Sequence, residues 1–574
     1  MTGRSPHACA ASGLRIPSLD RFNPSADVDK SIKEIKNRDA EDLARLGYAQ
    51  QLFREMGGFS NFAISFSIIS VLTGAIVLFG YGLKFAGPII NTIGWPVVSL
   101  FTLCVAASMA ELASAYATAG GLYFWAYRLG GKGWGWITAW FNLIGQVTIA
   151  AATNWAAAIY CIGAATRLFQ IPADAHIPFC GALDSRNSQI FVMVLIMLPQ
   201  ILINIAGVRL MARLNDFSVW WHIAGGALIV LLLAFFATHH NPIGFLFSHQ
   251  SSINPLEASS DTLANGKVAP ALVFGDTKIA SPLFSIVPGL AGFYRTAPFL
   301  LVFVLGLLQA QWTYTGFDAS ANTAEETIEA HLHSAWGIFL SVAVSAVVGY
   351  VLVVVLTWCI PPGKLSETAN DTYPVLYIVD NNLSRFFANV VAIIIGVAMW
   401  LCSCSGLNSM TRTWYAFARD EGLPGSSLIK RVSPRFGTPV WAIIAASVLV
   451  VLICLYASAF SVVTSISTIA LYLAYIIPVY LNWRNRRRGS GEHTTPQTAR
   501  WCLGRWSSPI NFIAIGWTIF ITIIFSIPPN ELVFWTMLLL LGLLALYWFT
   551  HARHRFHGPS SADEKALQTL VSGT

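Results

Sequence analysis

Uncharged apolar stretches, each about 20 residues long, recur along this chain from Phe59 to Trp548. A helix needs about 20 mostly apolar residues to cross the hydrocarbon core of a bilayer. Only 11% of the 574 residues are charged, against roughly 25% in soluble domains. The sequence therefore predicts an all-α integral membrane protein. Its 12 predicted transmembrane helices lie near residues 60–83, 94–116, 134–163, 189–207, 216–238, 298–322, 334–360, 386–410, 438–457, 461–482, 510–528 and 531–549.

Lys and Arg residues are divided unequally between the two sets of loops that these spans create. With the N-terminus inside, 27 of the 35 lie on the cytoplasmic side. Loops on that side of a membrane carry an excess of Lys and Arg. We therefore predict a multi-pass protein of the plasma membrane with both termini in the cytoplasm. Basic and aromatic residues do not interleave as in nucleic-acid binding, so the expected large-scale partner is the lipid bilayer.

Two of the predicted spans contain residues that interrupt a membrane helix. The first, at 65–82, has Thr73 and Gly74 near its middle, and the sixth, at 309–326, is polar throughout with Gly316 mid-span. An unsatisfied backbone amide in lipid costs several kcal/mol, so such breaks line cavities. Spans one and six are five apart, as expected when two inverted five-helix repeats each contribute one broken helix to a midplane site. This pattern predicts a secondary transporter.

A site between two broken helices complements both charges of a zwitterion. Free amides at the start of a half-helix can hold a carboxylate, and unwound carbonyls or acidic side chains can face a cationic group. An amino acid satisfies both. For the glycines, close helix packing is the alternative interpretation. The predicted substrate-binding residues are Ser70, Thr73, Gly74, Ala75, Tyr314, Thr315, Gly316, Phe317 and Asp318.

The spans also divide the chain into regions. We predict a cytoplasmic leader at 1–58, a ten-helix transport core at 59–483, a cytoplasmic basic loop at 484–509, helices eleven and twelve at 510–549 and a cytoplasmic tail at 550–574. The core would hold repeats at about 59–238 and 298–483, joined by an outer loop at 239–297. We expect this loop to be a partial lid without a fold of its own. Asn370 and Asn382 are glycosylation sequons in or near another outer loop.

Four stretches carry a family resemblance. Residues 72–76 read Leu-Thr-Gly-Ala-Ile, residues 111–121 end the second span, residues 314–326 include Gly-Phe-Asp and Ala-Glu-Glu, and residues 415–424 include Ala-Arg-Asp. Together they resemble the amino acid–polyamine–organocation superfamily, and within it the amino acid and choline transporter family that includes fungal GABA permeases. Leu72 replaces the first glycine of the family's Gly-Ser/Thr-Gly-Ile-Phe signature.

The resemblance implies a LeuT-like five-plus-five inverted repeat with broken helices one and six, two extra C-terminal helices, and alternating access around the substrate. It makes Phe317 an aromatic gate that could also stack on an ammonium group, a contact worth about 0.5 to 2 kcal/mol. A packed core aromatic is the alternative. Asp318 falls at the superfamily's acidic position after the gate, where it either touches substrate or orients helix six.

The resemblance also suggests a coupling residue. Residues 212–224 are similar to the fifth helix of proton-coupled members, and His222 falls where some of them carry a lysine. Because histidine titrates near neutrality, we predict that His222 takes up and releases the coupling proton. A neutral histidine hydrogen-bonded inside the bundle is the alternative. Glu111, near the cytoplasmic end of the second span, is expected to tie helices together rather than to relay protons.

Other residues give no sign of catalysis. Glu325, Glu326 and Glu329 follow the sixth span together with His331 and His333, and we interpret this segment as a solvated connection rather than a metal site. We find no paired acid and base, no nucleophile beside a histidine and no phosphate-binding loop. We therefore expect neither an enzyme nor a bound metal or cofactor.

The residues and the resemblance together predict a secondary active permease. It would import a small amino acid, or an amino-acid-like amine such as GABA, together with H+. An amino-acid exchanger and a choline or polyamine transporter are alternatives. A nutrient receptor is less favoured because the sequence shows no large cytoplasmic signalling region, and a channel because no ring of charges lines the broken-helix site.

Overall fold

The computed structural model describes residues 26–46, 48–172, 175–249, 298–456, 460–489, 500–556 and 558, and short pieces between 259 and 290. In these residues ten helices are long and apolar enough to cross a membrane. Two shorter apolar helices, Phe299–Thr313 and Val440–Leu455, lie where the sequence predicts the sixth and ninth spans. The predicted all-α membrane architecture is confirmed. The count of twelve spans and their division into inverted repeats stay predictions.

The described α-helices are α1 (Ala26–Arg45), α2 (Gly58–Ile69), α3 (Val71–Val77), α4 (Phe79–Ala86), α5 (Trp95–Ala115), α6 (Gly121–Gly130), α7 (Lys132–Phe169), α8 (Arg186–Ala206), α9 (Val208–Phe236), α10 (Leu283–Ile286), α11 (Pro298–Gly306), α12 (Leu308–Thr313), α13 (Ala319–Asn322), α14 (Ala330–Trp358), α15 (Leu365–Asn370), α16 (Pro374–Asn382), α17 (Arg385–Arg419), α18 (Ser426–Ile429), α19 (Val440–Tyr456), α20 (Phe460–Arg488), α21 (Ser507–Ile524), α22 (Glu531–Tyr547) and α23 (Arg553–Arg555). Short π-helical and 3-10 segments cover Ile90–Gly94, Ile243–Phe247, Ala324–Glu326, Gly504–Trp506 and Trp548–Ala552.

Within the described residues, five short strands lie in loops. β1 (His176–Ile177) and β2 (Gly181–Ala182) form an antiparallel pair. β3 (Ser259–Thr262), β4 (Val268–Phe274) and β5 (Thr277–Ala280) form an antiparallel sheet in that order. This sheet lies in the predicted outer loop, where we expected no local fold. The expectation was wrong because strands of four to seven residues leave little periodicity among the Pro and Gly residues of the loop.

The long helices pack against partners that are distant in sequence. The 38-residue α7 packs against α17 and α20, and α14 packs against α2 and α5. The most apolar stretches of the first, third and tenth spans are each 83% buried inside the protein, whereas that of the last helix is 17% buried. The broken first helix therefore lies at the centre of the bundle and the last helix at its edge.

The first span is interrupted at Ser70. Helix α2 ends at Ile69, α3 begins at Val71, and Ser70 between them has a φ of 35°. A left-handed conformation in a non-glycine residue costs about 1–3 kcal/mol. The sequence placed this break near Thr73 and Gly74, but both residues are helical. The position was wrong because the missing side chain of Gly74 serves the close packing of two helices rather than unwinding.

The sixth span is interrupted where the sequence predicts. Helix α12 ends at Thr313, residues 314–318 are not helical, and α13 begins at Ala319. Gly316, in the middle of this segment, has a φ of 84°, which glycine adopts without steric cost. The unwound segment thus depends on a residue that the local sequence supplies.

The two sequons differ in accessibility. Asn370 is exposed at the end of α15, whereas Asn382 is 2% exposed and its side-chain amide donates to the Cys359 carbonyl at 2.7 Å. In a host that glycosylates membrane proteins we expect Asn370→Gln to abolish the endoglycosidase-sensitive gel shift. Asn382→Gln should leave that shift unchanged. A chain that is not glycosylated at either position in such a host would contradict the predicted cytoplasmic termini.

Candidate functional site

The predicted substrate-binding residues lie at the two breaks, deep inside the bundle. None of the seven that are not glycine is more than 1% exposed. The hydroxyl of Ser65 in α2 donates to the Phe317 carbonyl at 2.9 Å, and the side-chain amide of Gln309 lies 3.5 Å from the Ala75 carbonyl. The structure therefore brings the two predicted halves of the site together and closes them off from solvent.

Both predicted glycines mark close approaches between helices one and six. A Cβ atom on Gly74 would lie 2.7 Å from the Thr313 Cα atom, and a Cβ atom on Gly316 would lie 2.2 Å from Ile68 Cγ2. The packing alternative therefore holds for Gly74, since its missing side chain lets α3 contact the backbone of α12. Gly316 needs both the space and its positive φ.

A chain of hydrogen bonds joins the break in helix one to His222. Ser70 Oγ lies 2.6 Å from Thr73 Oγ1 and 2.7 Å from His222 Nε2, and His222 Nδ1 lies 2.7 Å from the Ser218 carbonyl. A carbonyl only accepts, so Nδ1 carries a hydrogen and the Nε2 atom of a neutral ring accepts from Ser70. Protonation of Nε2 would reverse this bond. The protonation state of His222 therefore determines the direction of the hydrogen bond at the break in the first span.

Asp318 is held by protein groups on both carboxylate oxygens. Oδ1 accepts from the Tyr475 hydroxyl at 2.7 Å, and Oδ2 accepts from the amides of Asn322 at 2.8 Å and Gln146 at 3.3 Å. Within the described part of the chain, no Lys, Arg or His side chain lies within 4 Å of this carboxylate. These contacts orient helix six against the third and tenth spans. A substrate contact for Asp318 stays a prediction.

The other predicted residues of the unwound segment point toward different neighbours. The Tyr314 hydroxyl lies 2.7 Å from Ser99 Oγ in the second span. The Thr315 hydroxyl donates to a carbonyl three residues earlier at 2.6 Å. The Phe317 ring packs against Tyr475, with ring centres 4.8 Å apart. Phe317 is therefore a buried aromatic in this conformation, and its role as a gate stays a prediction.

Sequence reasoning missed the residues outside helices one and six that hold the site. They are Ser99 in α5, Gln146 in α7, and Tyr472 and Tyr475 in α20. The available signal was polar groups inside otherwise apolar spans, which usually face the bundle interior. That signal does not say which helix they contact, because contact depends on how the spans pack.

A large cavity lies elsewhere in the bundle. It measures about 610 Å³ and lies between α7, α17, α19, α20 and α22, with a lining that includes Trp140, Leu449, Val463 and Leu540. None of the predicted site residues lines it. Its lining is almost entirely apolar, which does not complement a zwitterion. We do not identify it with the substrate site.

Two carboxylates that follow the sixth span are buried, although the sequence predicted a solvated connection there. Glu325 and Glu326, expected in a solvated connection, are at most 1% exposed. Glu325 pairs with Arg419 and Glu326 with Arg412, each at 3.0 Å. The sequence could not reveal this because both arginines come from the distant end of α17. In the described residues, no group of three or more His, Cys, Asp or Glu side chains could hold a metal ion.

The predicted leader packs over these ion pairs. The Met56 amide donates to the Glu326 carbonyl at 2.9 Å, and the Tyr48 hydroxyl donates to Asp420 at 2.8 Å. The Arg419 guanidinium lies over the Tyr48 ring, 3.9 Å from its centre. Burial and the charge of Asp420 raise the pKa of the Tyr48 hydroxyl well above its ordinary value. Residues 48–56 of the predicted leader therefore cover the ends of the sixth and eighth spans.

Glu111 has the structural role that we expected. Its carboxylate accepts from the Ser507 hydroxyl at 2.9 Å and lies 3.2 Å from the Arg486 guanidinium. These contacts join the second span to the end of α20 and the start of α21. The prediction that Glu111 ties helices together is confirmed.

The chain is similar to known proteins along most of its length. A model of the amino acid permease family matches residues 56–549. The chain belongs to the amino acid permease family. It is 29% identical to the amino-acid permease BAT1 of Arabidopsis thaliana, over 93% of this chain and 98% of the relative. It is 30% identical to the BAT1 homolog of Oryza sativa subsp. japonica, over 90% and 94%, and 24% identical to amino-acid permease 2 of Neurospora crassa, over 100% and 99%.

This family lies in the amino acid–polyamine–organocation superfamily, so the resemblance read from the motifs is confirmed. Its members are transporters rather than enzymes. With its many apolar helices, the permease is a multi-pass membrane protein whose family acts on a small-molecule substrate. The identity of that substrate, the coupling ion and the cellular membrane are matters for proposal.

Proposed function

We propose that this permease imports a small amino acid, or an amino-acid-like amine such as GABA, across the plasma membrane together with H+. The observation that carries the proposal is the contact between two interrupted helices in the buried centre of the bundle. The break at Ser70 and the break at 314–318 lie side by side, joined by the bond from Ser65 to the Phe317 carbonyl. Such paired breaks let one site open alternately to each side of the membrane.

The close packing around Gly74 favours a small substrate. Gly74 contacts the backbone of Thr313 so closely that a single methyl group would not fit. The nine predicted residues combine backbone groups with the hydroxyls of Ser70 and Thr73 and the carboxylate of Asp318. This set suits a zwitterion better than a bulky or purely apolar molecule. We propose these nine residues as the substrate site.

Coupling to H+ is supported by the contacts of His222. The imidazole lies 2.7 Å from the Ser70 hydroxyl, and the nearby Cys402 thiol donates to the Ile68 carbonyl at 3.3 Å. Protonation of Nε2 would turn Ser70 from donor to acceptor, which changes the hydrogen bonding of the break. A proton bound at His222 thereby favours one geometry of helix one over another.

Uptake into proteoliposomes tests the function. Radiolabelled GABA and alanine would be offered with an inward proton gradient, in competition with other amino acids, choline and polyamines. We expect saturable uptake that the gradient drives. Uptake that requires amino acid inside the vesicle would indicate the exchanger. If only choline or polyamines displace the labelled substrates, the protein is a choline or polyamine transporter. Binding without flux would refute transport.

Substitution of His222 tests the coupling. His222→Gln keeps an acceptor for Ser70 but does not titrate in the physiological range. We expect it to lower accumulation driven by a pH gradient at least about tenfold while exchange at equal pH continues. His240→Gln, at an exposed histidine beyond the end of α9, is the control and should accumulate substrate normally. Normal gradient-driven accumulation by His222→Gln would exclude His222 as the coupling group.

A further inference from the structure

The break in helix six leaves backbone groups unpaired by the helix in the middle of an apolar span, where each one is costly. Two tyrosines of α20 satisfy them. The Tyr472 hydroxyl donates to the Tyr314 carbonyl at 2.7 Å, and the Gly316 amide donates to the Tyr475 hydroxyl oxygen at 3.0 Å. The tenth span therefore provides a donor to one peptide group of the break and an acceptor to another.

The sequence of α20 allows this arrangement. Tyr472 and Tyr475 are three residues apart, so they lie on the same face of the helix. Both side chains are 0% exposed. Five residues before Tyr472, Ser467 Oγ accepts from the Trp312 indole at 3.1 Å. Helix α20 thus contacts the sixth span from its last regular turn into the unwound segment.

Tyr475 makes a second bond that sets the direction of the first. Its hydroxyl proton is donated to Asp318 Oδ1 at 2.7 Å. A hydroxyl has one proton, so its oxygen accepts from the Gly316 amide while its hydrogen goes to the carboxylate. The residue between them, Phe317, packs its ring against the same tyrosine. Tyr475 therefore contacts three successive residues of the unwound segment.

We infer that Tyr475 is a positioning residue that holds the unwound segment of helix six, and with it Phe317, in the closed arrangement of the site. Ser65 in α2 fixes the Phe317 carbonyl. Tyr475 in α20 fixes the two residues that flank Phe317, which are Gly316 and Asp318. Its effect on transport rests on the proposed function. Its effect on the backbone does not, because the hydrogen bonds exist whatever the substrate is.

Hydrogen–deuterium exchange of the permease in nanodiscs, alongside uptake kinetics, tests the inference. In Tyr475→Phe we expect the amides of residues 314–318 to exchange about tenfold faster, a factor that corresponds to about 1.4 kcal/mol, because the variant loses the hydrogen bonds to both the Gly316 amide and the Asp318 carboxylate. The maximal uptake rate should fall by at least as much. Tyr160→Phe removes a buried hydroxyl that has no partner among the described residues, and this control should leave both unchanged.

Wild-type exchange in Tyr475→Phe would overturn the positioning role. Faster exchange in a protein that transports none of the tested compounds would support the positioning role and refute the proposed function. If Tyr475→Phe does not fold, Asp318→Asn and Asp318→Leu ask the same question. The asparagine oxygen still accepts from Tyr475, and its NH2 group can donate to the unpartnered amide oxygens of Asn322 and Gln146 once those amides rotate. Leucine offers no acceptor to Tyr475, so only the leucine variant should exchange faster. Equal exchange in the two variants would overturn the inference.

Discussion

Arg412→Ala is expected to destabilise this permease more than Gly74→Ala or Tyr475→Phe does. Arg412 and Glu326 form an ion pair at 3.0 Å, with the side chains 0% and 1% exposed. Removal of the arginine leaves an unpaired buried carboxylate, which costs about 3–5 kcal/mol. We expect loss of the monodisperse peak in size-exclusion chromatography, or a greatly lowered unfolding temperature in detergent.

The matched variants separate charge from shape. Arg412→Met combined with Glu326→Leu removes both charges together, and such replacements of buried pairs are often neutral. We expect this double variant to recover most of the lost stability. Arg435→Ala, at an exposed arginine, should behave as wild type. If Arg412→Ala unfolds at the wild-type temperature, the pair does not stabilise the folded protein.

Gly74→Ala is expected to have the second largest effect, mainly on transport. Its Cβ atom would lie 2.7 Å from Thr313 Cα, and backbone cannot move aside as a flexible side chain can. Overpacking of this kind typically costs about 1–3 kcal/mol, and here the displacement falls between the two breaks. We expect uptake to fall by about 100-fold, since a shift of about 1 Å at a site can cost that much.

Gly226→Ala is the control for this prediction. Gly226 lies in α9, another membrane helix, and an added Cβ atom would meet no heavy atom within 4 Å. It should retain wild-type uptake. Wild-type uptake by Gly74→Ala would show that helices one and six do not need their close approach at this point, and would remove the packing argument for a small substrate.

The contacts of the leader and of the paired carboxylates could not be predicted from the local sequence. The charged residues of the leader predicted an inner segment, but not that Tyr48 would lie under Arg419 or that Met56 would bond to Glu326. Charge patterns report which side of a membrane a segment occupies. They do not report which buried partner neutralises a given carboxylate, since that partner here comes from the end of another helix.

The sequence by itself determined the membrane class, the positions of the apolar helices and the break in helix six. These follow from local properties: about 20 apolar residues are needed per span, and Gly316 adopts a φ that other residues resist. Its motifs also sufficed to indicate the superfamily. Each of these conclusions depends on residues that are neighbours in the chain.

Only the tertiary structure decided where helix one breaks and what Asp318 contacts. Ser70 adopts a left-handed conformation at a cost, and part of what stabilises it is the bond to His222, 152 residues away in the chain. Asp318 is held by Tyr475, 157 residues away. In a bundle whose backbone bonds are satisfied within each helix, the side-chain bonds between helices set the irregular segments, and those bonds depend on the packing of distant spans.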